Sequence, residues 1–276
     1  MDVLNKIKLV EAELADTLAK NSIRMPEVAI VLGSGLGDVA DNIADPFIVS
    51  YSDLADFPVS TAPGHKGRFV IGALEDTPVI IMQGRVHYYE GYPMTDVVLP
   101  VRVLARMGVK SFVLTNAAGG MQDGMRVGDL MMITDHISSF VPSPLIGPNI
   151  DELGLRFPDM TYVYDLELQD KLRAAASRLD INLLEGVYAQ FTGPHFETPT
   201  EIQLFKRLGI DVVGMSTVVE AIALRHMGIR VSGVSLVSNI AAGMSDELLC
   251  GDDVIDAGNI AGPRMTALLT EAIKNF

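Results

Sequence analysis

The sequence predicts an α/β protein in which one mixed, largely parallel β-sheet is covered by helices. Short runs rich in β-branched residues recur along the chain and end abruptly in glycine or asparagine, as buried strands do. Segments with helical spacing of apolar residues separate several of these runs, and that alternation is typical of parallel sheets. The length of 276 residues is near the upper limit for one hydrophobic core, so we expect residues 1–276 to form a single domain.

The first half of the chain begins with a predicted amphipathic helix, because apolar residues from Val3 to Leu18 recur at helical spacing. A second helix is predicted over residues 97–107. The predicted strands of this half, of which the second and third form a hairpin, cover residues 28–32, 68–74, 78–83, 111–115 and 130–134. Residues 142–165 are rich in Pro, Gly and Asp without a period, which is typical of a functional loop or a subunit contact.

The second half alternates more regularly. Strands are predicted over residues 186–192, 212–215 and 231–237, and helices after Thr198, after Thr217 and up to Phe276. Both internal helices begin with Thr-x-x-Glu, which predicts a reciprocal N-terminal cap at each of them. In open α/β sheets, ligands bind at the carboxyl ends of the strands, so the residues that follow the strands are the candidate site.

Composition excludes several classes of partner. Thirty-five acidic residues oppose 21 basic ones, and the net charge of -14 repels phosphate backbones and anionic lipid, so we expect neither nucleic acid nor membrane as a partner. The single cysteine, Cys250, cannot form an internal disulfide and is interpreted as structural. The first residues lack the features of a signal peptide, and the uncharged stretch 231–245 is too short to span a bilayer. The expected location is the cytoplasm.

The glycine-rich residues 33–37 follow the first predicted strand. A dinucleotide-binding fingerprint needs Gly-x-Gly-x-x-Gly, whereas Asp38 occupies the last glycine position here, which argues against a nicotinamide dehydrogenase. Consecutive backbone N–H groups and the Ser34 hydroxyl would suit an anion. A tight turn without a ligand is the alternative, and this motif alone does not decide between them.

Two clusters combine histidine with arginine, at residues 64–68 and 83–92. If the second cluster is extended, Arg85 and His87 project to the same side and could bind one oxyanion together. Glu90 could then orient the imidazole by accepting from its other nitrogen. A solvated basic loop is the alternative, but the position at a strand end favours a site for a small anion.

Three further strand ends carry groups that suit a flat heterocycle. Phe196 could stack on a ring, while Glu197 accepts and Asn239 both donates and accepts at the ring's edge. Met215 and Ser216 would add an apolar face and a hydroxyl. The alternatives are a helix-stabilising acid for Glu197 and a turn residue for Asn239.

No metal site is predicted. His136 and His226 stand apart from other potential ligands, so both are interpreted as packing or surface residues. The sequence also has no Gly-x-Ser-x-Gly elbow and no P-loop.

Eight motifs in order resemble those of the trimeric purine nucleoside phosphorylases, from about residue 28 to the end of the chain: VLGSGLGD, APGHKGRFVIG, QGRVHYYEGY, TNAAGG, RFPDM, GPHFETPTE, VGMSTVVEA and VSN. The resemblance implies an α/β phosphorylase fold and a homotrimer. It implies phosphorolysis of 6-oxopurine ribo- and deoxyribonucleosides to the free base and pentose 1-phosphate, for purine salvage. No cofactor is implied, because orthophosphate is a co-substrate.

The resemblance also implies roles for individual residues. The implied phosphate site consists of Ser34, His65, Arg85, His87, Asn116, Ala117 and Ser216. The implied purine site consists of Phe196, Glu197, Met215 and Asn239, and the ribose contacts are Tyr89, Met215 and, from a neighbouring subunit, Phe157. The residues implied in catalysis are His87, Glu197 and Asn239.

Departures from the family pattern at Val219, Ile240 and two further positions concern substrate preference. Gly251 stands where many members have a histidine that contacts the sugar's 5′-hydroxyl, and His195 replaces a smaller residue. A 5′-methylthioadenosine phosphorylase therefore remains an alternative, although it needs a carboxylate where this chain has Asn239. A non-catalytic protein that binds purines or nucleosides is the other alternative, and the intact pair of Arg85 and His87 argues against it.

Overall fold

The computed structural model describes residues 2–246, 248–274 and 276, and arranges the strands of these ranges in one sheet. The strands are β1 Val28–Val31, β2 Phe47–Ser50, β3 Arg68–Leu74, β4 Thr77–Gln83, β5 Ser111–Gly120, β6 Leu130–Ile137, β7 Leu183–Gln190, β8 Val212–Gly214 and β9 Arg230–Ile240. The helices are α1 Val3–Lys20, α2 Met94–Val97, α3 Leu99–Arg106, α4 Leu166–Arg178, α5 Pro199–Arg207, α6 Val218–His226 and α7 Asp252–Ile273.

The sheet is mixed, with more parallel than antiparallel pairings. β1 pairs in parallel with β4 and β5, β5 with β9, and β7 with both β6 and β8. The antiparallel pairings are β2–β3, β3–β4, β5–β8 and β6–β9. The predicted α/β fold class and the predicted hairpin of β3 and β4 are therefore confirmed.

Strand β5 organises the sheet because it pairs with β1, β8 and β9. The pairings β5–β8–β7–β6–β9–β5 close into a ring, and β2, β3, β4 and β1 extend from it. The register of β5 against β9 shifts between Ala118 and Gly119. The carboxyl ends of β1, β4, β5 and β9 meet at one edge, as parallel pairing requires.

Helices cover both faces of the sheet. On one face α1, α3 and α6 contribute to a continuous apolar cluster that includes Leu14, Leu104 and Leu224. On the other face α4 and α7 pack through residues such as Leu172 and Leu269. Helix α1 confirms the first predicted helix, and its apolar residues Ile7, Val10, Leu14 and Leu18 are buried. No helix in the described ranges is both long and apolar enough to cross a membrane.

The sequence prediction was incomplete in four places. Helix α4 was missed, because its polar sequence buries only a narrow stripe that includes Leu168 and Leu172. Strand β2 was also missed, since it is a four-residue segment without clear alternation. The helix predicted over residues 97–107 is divided at Val98, where α2 ends and α3 begins. Strand β5 continues beyond Thr115 to Gly120, because β9 pairs along its whole length.

Candidate functional site

A cavity of about 480 Å³ lies at the carboxyl ends of β1, β4, β5, β8 and β9. This volume is in the range of small-molecule sites. The residues predicted for an anion that line it are Ser34, Arg85, His87, Asn116, Ala117 and Ser216, and those predicted for a heterocycle or sugar are Tyr89, Phe196, Glu197, Met215 and Asn239. The structure therefore brings both predicted groups into one cavity.

Arg85 follows β4 and is almost completely buried, with 1% of its surface exposed. Its Nη1 donates to the backbone oxygen of Thr115 at 2.5 Å and to Ser216 Oγ at 3.2 Å. Its Nε and Nη2 donate to the two carboxylate oxygens of Glu220 at 3.1 and 2.9 Å. The guanidinium thus joins β5, the β8–α6 turn and α6 at the edge of the cavity.

The contact to Glu220 corrects the cap predicted at Thr217. Thr217 makes no side-chain capping bond, and Glu220 is buried against Arg85 instead of reaching back to the helix start. At α5 the same sequence pattern does form the predicted reciprocal cap between Thr198 and Glu201. The two helices differ because α5 starts at the exposed surface, whereas α6 starts next to a buried guanidinium.

His65 lies behind the cavity wall and bonds to two of its residues. Its Nε2 is 3.0 Å from Ser34 Oγ, and its Nδ1 is 2.8 Å from the backbone nitrogen of Arg85. Burial and the neighbouring His87 and Arg85 lower the pKa of His65 to about 3. The ring is therefore neutral at neutral pH and supplies a polar contact instead of a charge.

Glu90 orients His87, as predicted. The carboxylate lies 3.0 Å from His87 Nδ1 and accepts from the His87 backbone N–H at 2.7 Å. Thr61 donates to the same carboxylate. Partial burial opposes the charge of Glu90, but these hydrogen bonds outweigh it and lower its pKa to about 2. Tyr89 stacks on the imidazole with 4.8 Å between ring centroids, so the ring is held on two sides.

A strained turn connects Ser216 to helix α6. Thr217 has φ 84° and ψ -54°, and the Val218 N–H donates to the Ser216 carbonyl at 3.0 Å. This is a γ-turn with the unfavourable positive φ. The Thr217 hydroxyl accepts from Asn116 Nδ2 at 3.0 Å. The turn consequently places one hydroxyl on Asn116 while Ser216 faces the cavity.

The other half of the cavity is more apolar and carries one carboxylate and one amide. Burial raises the pKa of Glu197 above its usual 4.5. Asn239 Oδ1 accepts from Ser238 Oγ at 2.9 Å, and its Nδ2 donates weakly to the Ile240 carbonyl at 3.3 Å. Phe196 is 37% exposed at the mouth. This arrangement can accept a flat ring that donates to a carboxylate and accepts from an amide.

The glycine loop after β1 packs directly on helix α7. Gly35 has a positive φ of 75°, and a Cβ on Gly258 would lie 2.2 Å from the Gly35 carbonyl oxygen. The two backbones therefore touch where no side chain fits. From this contact α7 extends over the cavity and lines it with Val254 and Ile255, next to Gly251.

Several predicted residues lie outside the cavity of their own subunit. Phe157 is 87% exposed and lines a separate cleft with His136. His195 is exposed, and its Nδ1 lies 2.9 Å from the Phe196 carbonyl. His136 contacts the Tyr164 hydroxyl at 3.2 Å, and its pKa is lowered to about 4 by burial.

Two interpretations from the sequence concern His226 and Cys250. His226 is buried with 7% exposure, as a packing residue would be. Cys250, which was interpreted as structural, is exposed and therefore belongs to no core. Within the described residues, no group of three or more potential ligands is placed to hold a metal ion.

The cavity at the edge of this α/β sheet has a basic, hydroxyl-rich subsite beside a more apolar one. This arrangement is typical of proteins that bring a small oxyanion and a flat heterocycle together. The chain belongs to the phosphorylase superfamily, whose family model matches residues 27–274.

Two curated relatives carry a more specific name. Purine nucleoside phosphorylase 1 of Bacillus subtilis is 48% identical over 87% of this chain and 88% of its own length. Purine nucleoside phosphorylase of Bos taurus is 41% identical over 92% of this chain and 90% of its own. A solved structure of Schistosoma mansoni purine nucleoside phosphorylase in complex with inosine superimposes with a TM-score of 0.91. It is 34% identical and covers 99% of this chain and 96% of that one.

Proposed function

We propose that this chain is a purine nucleoside phosphorylase that cleaves the N-glycosidic bond of 6-oxopurine ribo- and deoxyribonucleosides with orthophosphate. The products are the free base and α-(deoxy)ribose 1-phosphate, formed with inversion at the anomeric carbon. One observation carries the proposal: the anion-binding group around Arg85 and His87 and the ring-binding group of Glu197 and Asn239 line the same cavity. Orthophosphate is a co-substrate, and the proposed reaction uses no cofactor.

The geometry suits the charges of this reaction. The glycosidic bond breaks through an oxocarbenium-like state, so positive charge grows on the sugar and negative charge on the departing purine. Phosphate held by Ser34, Arg85 and Ser216 would stabilise the sugar, and its fixed position replaces a bimolecular encounter. Asn239 would donate to the N7/O6 edge of the purine as negative charge develops there.

The proposed base class follows from the two polar groups of the ring subsite. Glu197 is the one acidic side chain among the described residues that line the cavity. A 6-oxopurine has an N1–H that can donate to Glu197 and an O6 that can accept from Asn239. A 6-aminopurine has no N1–H and would prefer a second carboxylate for its amino group. This difference favours the 6-oxopurine activity over a 5′-methylthioadenosine phosphorylase.

We also propose a homotrimer in which Phe157 closes the active site of a neighbouring subunit. The irregular segment before α4 exposes several apolar side chains, and Ile146, Leu155 and Phe157 are each at least 75% exposed. Such a surface is typical of a subunit contact. Phe157 is exposed and is not among the described residues that line its own cavity, so it is available to another copy. A free, exposed Cys250 suits a reducing compartment, and we place the activity in the cytoplasm.

One assay panel tests the proposed function. Inosine, guanosine, xanthosine, adenosine and methylthioadenosine are each incubated with the enzyme, with and without orthophosphate. We expect fast release of base from the 6-oxopurine nucleosides only when orthophosphate is present, together with pentose 1-phosphate. Release at the same rate without orthophosphate would identify a hydrolase. Tight nucleoside binding without turnover would identify a non-catalytic binding protein, and either result would overturn the proposal.

A further inference from the structure

The carboxylate of Glu220 is placed to control the anion subsite without lining the cavity. Glu220 lies in the first turn of α6, and its side chain and that of Arg85 are 3% and 1% exposed. Both carboxylate oxygens accept from the guanidinium, at 3.1 Å from Nε and at 2.9 Å from Nη2. This two-point contact fixes the plane of the guanidinium as well as its position.

A count of donors shows how little freedom Arg85 retains. A guanidinium has five N–H donors. Glu220 takes two of them, and the Thr115 carbonyl and Ser216 hydroxyl take the two on Nη1. Among the residues that the structure describes, no group accepts the second N–H on Nη2, so this donor is available to a ligand. Its direction is set by Glu220, because that carboxylate binds the same nitrogen.

Other roles explain Glu220 less well. It does not cap α6, because Thr217 makes no capping bond to it. A contribution to stability alone is also a weak explanation, since a buried ion pair often gains no more than a well-packed apolar pair. An apolar pair could not fix the direction of the remaining N–H of Arg85, whereas Glu220 does. An orienting role therefore explains why an ion pair stands here.

We propose that Glu220 is a positioning residue of the phosphate subsite. It does not touch the substrate, and it holds the guanidinium of Arg85 so that the one free N–H faces the phosphate oxygen. This inference rests on the proposed function, because it assigns orthophosphate to the subsite beside Arg85. It differs from the roles given to Arg85 and Ser216, which would contact phosphate directly.

Glu220→Gln tests the proposal with little change of shape. The amide can accept only one of the two hydrogen bonds, so the plane of the guanidinium is held less firmly, although Nη1 keeps its bonds to Thr115 and Ser216. We expect kcat/KM for phosphate to fall on the order of a hundredfold, because a small misplacement of a reacting group has an effect of this size. The dissociation constant of inorganic phosphate, measured by calorimetry without nucleoside, should rise. Hypoxanthine binding, which uses the other half of the cavity, should stay near the wild-type value.

Glu220→Asp and Asp165→Asn complete the experiment. Glu220→Asp keeps the charge, but its side chain is one methylene shorter. We expect its affinity for phosphate to lie between that of the wild type and that of Glu220→Gln. Asp165 holds Arg230 through a similar two-point contact, at 2.9 Å for each bond, on the start of α4. Asp165→Asn therefore weakens a two-point ion pair that is more exposed and lies away from the cavity, and it should leave phosphate binding unchanged.

The results separate this inference from the proposed function. Folded Glu220→Gln with wild-type phosphate affinity would overturn the positioning role while the wild-type enzyme remains a phosphorylase. An equal loss of hypoxanthine and phosphate binding, or failure of both Glu220 variants to fold, would assign Glu220 to the stability of the fold and would also overturn it. If the wild-type enzyme shows no phosphate-dependent cleavage, the proposed function fails, whatever the variants do.

Discussion

The imidazole of His65 connects Ser34 to Arg85, with Nε2 3.0 Å from Ser34 Oγ and Nδ1 2.8 Å from the Arg85 backbone nitrogen. Nδ1 also lies 3.0 Å from the Arg85 carbonyl oxygen, so it can accept from the Arg85 N–H or donate to that carbonyl. Either tautomer of the neutral ring keeps a hydrogen bond to the Ser34 hydroxyl through Nε2. His65 thus holds Ser34 in place at the wall of the cavity.

Protonation of His65 in acid should lower the free energy of unfolding. Its pKa is lowered from 6.5 to about 3, first by burial. The unfolded chain therefore binds more protons between these values, and stability falls as pH drops from about 6.5 toward 3. Urea unfolding at several pH values should show a shallower decline in His65→Asn than in wild type. His136, with a pKa of about 4, acts in the same direction, so the decline should not vanish. An unchanged slope in His65→Asn would contradict the assignment.

Asn239→Ala should lose turnover more than substrate affinity. The amide would donate to the purine most strongly as negative charge develops, and removing such a donor costs about a hundredfold or more in kcat. Steady-state kinetics with inosine at saturating phosphate measures this. Ser235→Ala is the control, because Ser235 lies buried on the same strand and its hydroxyl has no partner within the described residues. A loss confined to KM would contradict the role of Asn239.

Activity toward nucleosides should fall in acid at a higher pH than an ordinary glutamate would require. Burial raises the pKa of Glu197, and only the carboxylate form can accept from the purine N1–H. As pH falls through that raised value, kcat/KM for inosine should decrease, starting above pH 4.5. The measurement is a pH profile at saturating phosphate. Glu197→Gln should be less active, and its kcat/KM should not show this decline at acid pH. An identical acid decline in the variant would disprove the assignment.

Thr217→Gly should be more stable than Thr217→Ala. Both variants lose the hydroxyl that accepts from Asn116, but only glycine adopts φ 84° without strain. Such strain costs about 1–3 kcal/mol, and glycine loses about 0.4–1 kcal/mol through the entropy of the unfolded chain. We therefore expect the glycine variant to unfold at a higher urea concentration than the alanine variant. Its free energy of unfolding should be greater by about 1 kcal/mol. Equal stability, or a more stable alanine variant, would contradict the strained turn.

Phe157→Ala should raise KM for nucleoside while phosphate affinity stays near the wild-type value. If the ring closes a neighbouring site, its loss removes an aromatic contact, and we expect a change of about tenfold. Activity per subunit in the wild type should also fall on dilution, as subunits separate. Tyr162→Ala is the control, because this exposed aromatic residue lies in the same segment. Wild-type kinetics in Phe157→Ala would exclude the proposed contact.

Most of the candidate cavity could be predicted from the strand ends. Arg85, His87, Asn116, Glu197 and Asn239 all follow or end predicted strands, and the parallel pairings bring those ends to one edge. Glu90 was also predictable, since it lies three residues from the imidazole it orients.

Other features depend on contacts that the sequence does not show. Glu220 fits a capping pattern, and its partner Arg85 lies 135 residues away in the chain. Only the packing of α6 against the end of β4 decides between the two roles. The contact between Gly35 and Gly258 likewise joins distant segments. The role of Phe157 concerns a second copy of the chain, and it stays a prediction.

The close contact between Gly35 and Gly258 has a consequence for biosynthesis. The loop that carries Ser34 is translated well before α7, the helix that supports it. A nascent chain therefore cannot complete the cavity until α7 has left the ribosome, and an interrupted chain that ends before Gly251 would carry most of the predicted phosphate ligands without a finished site.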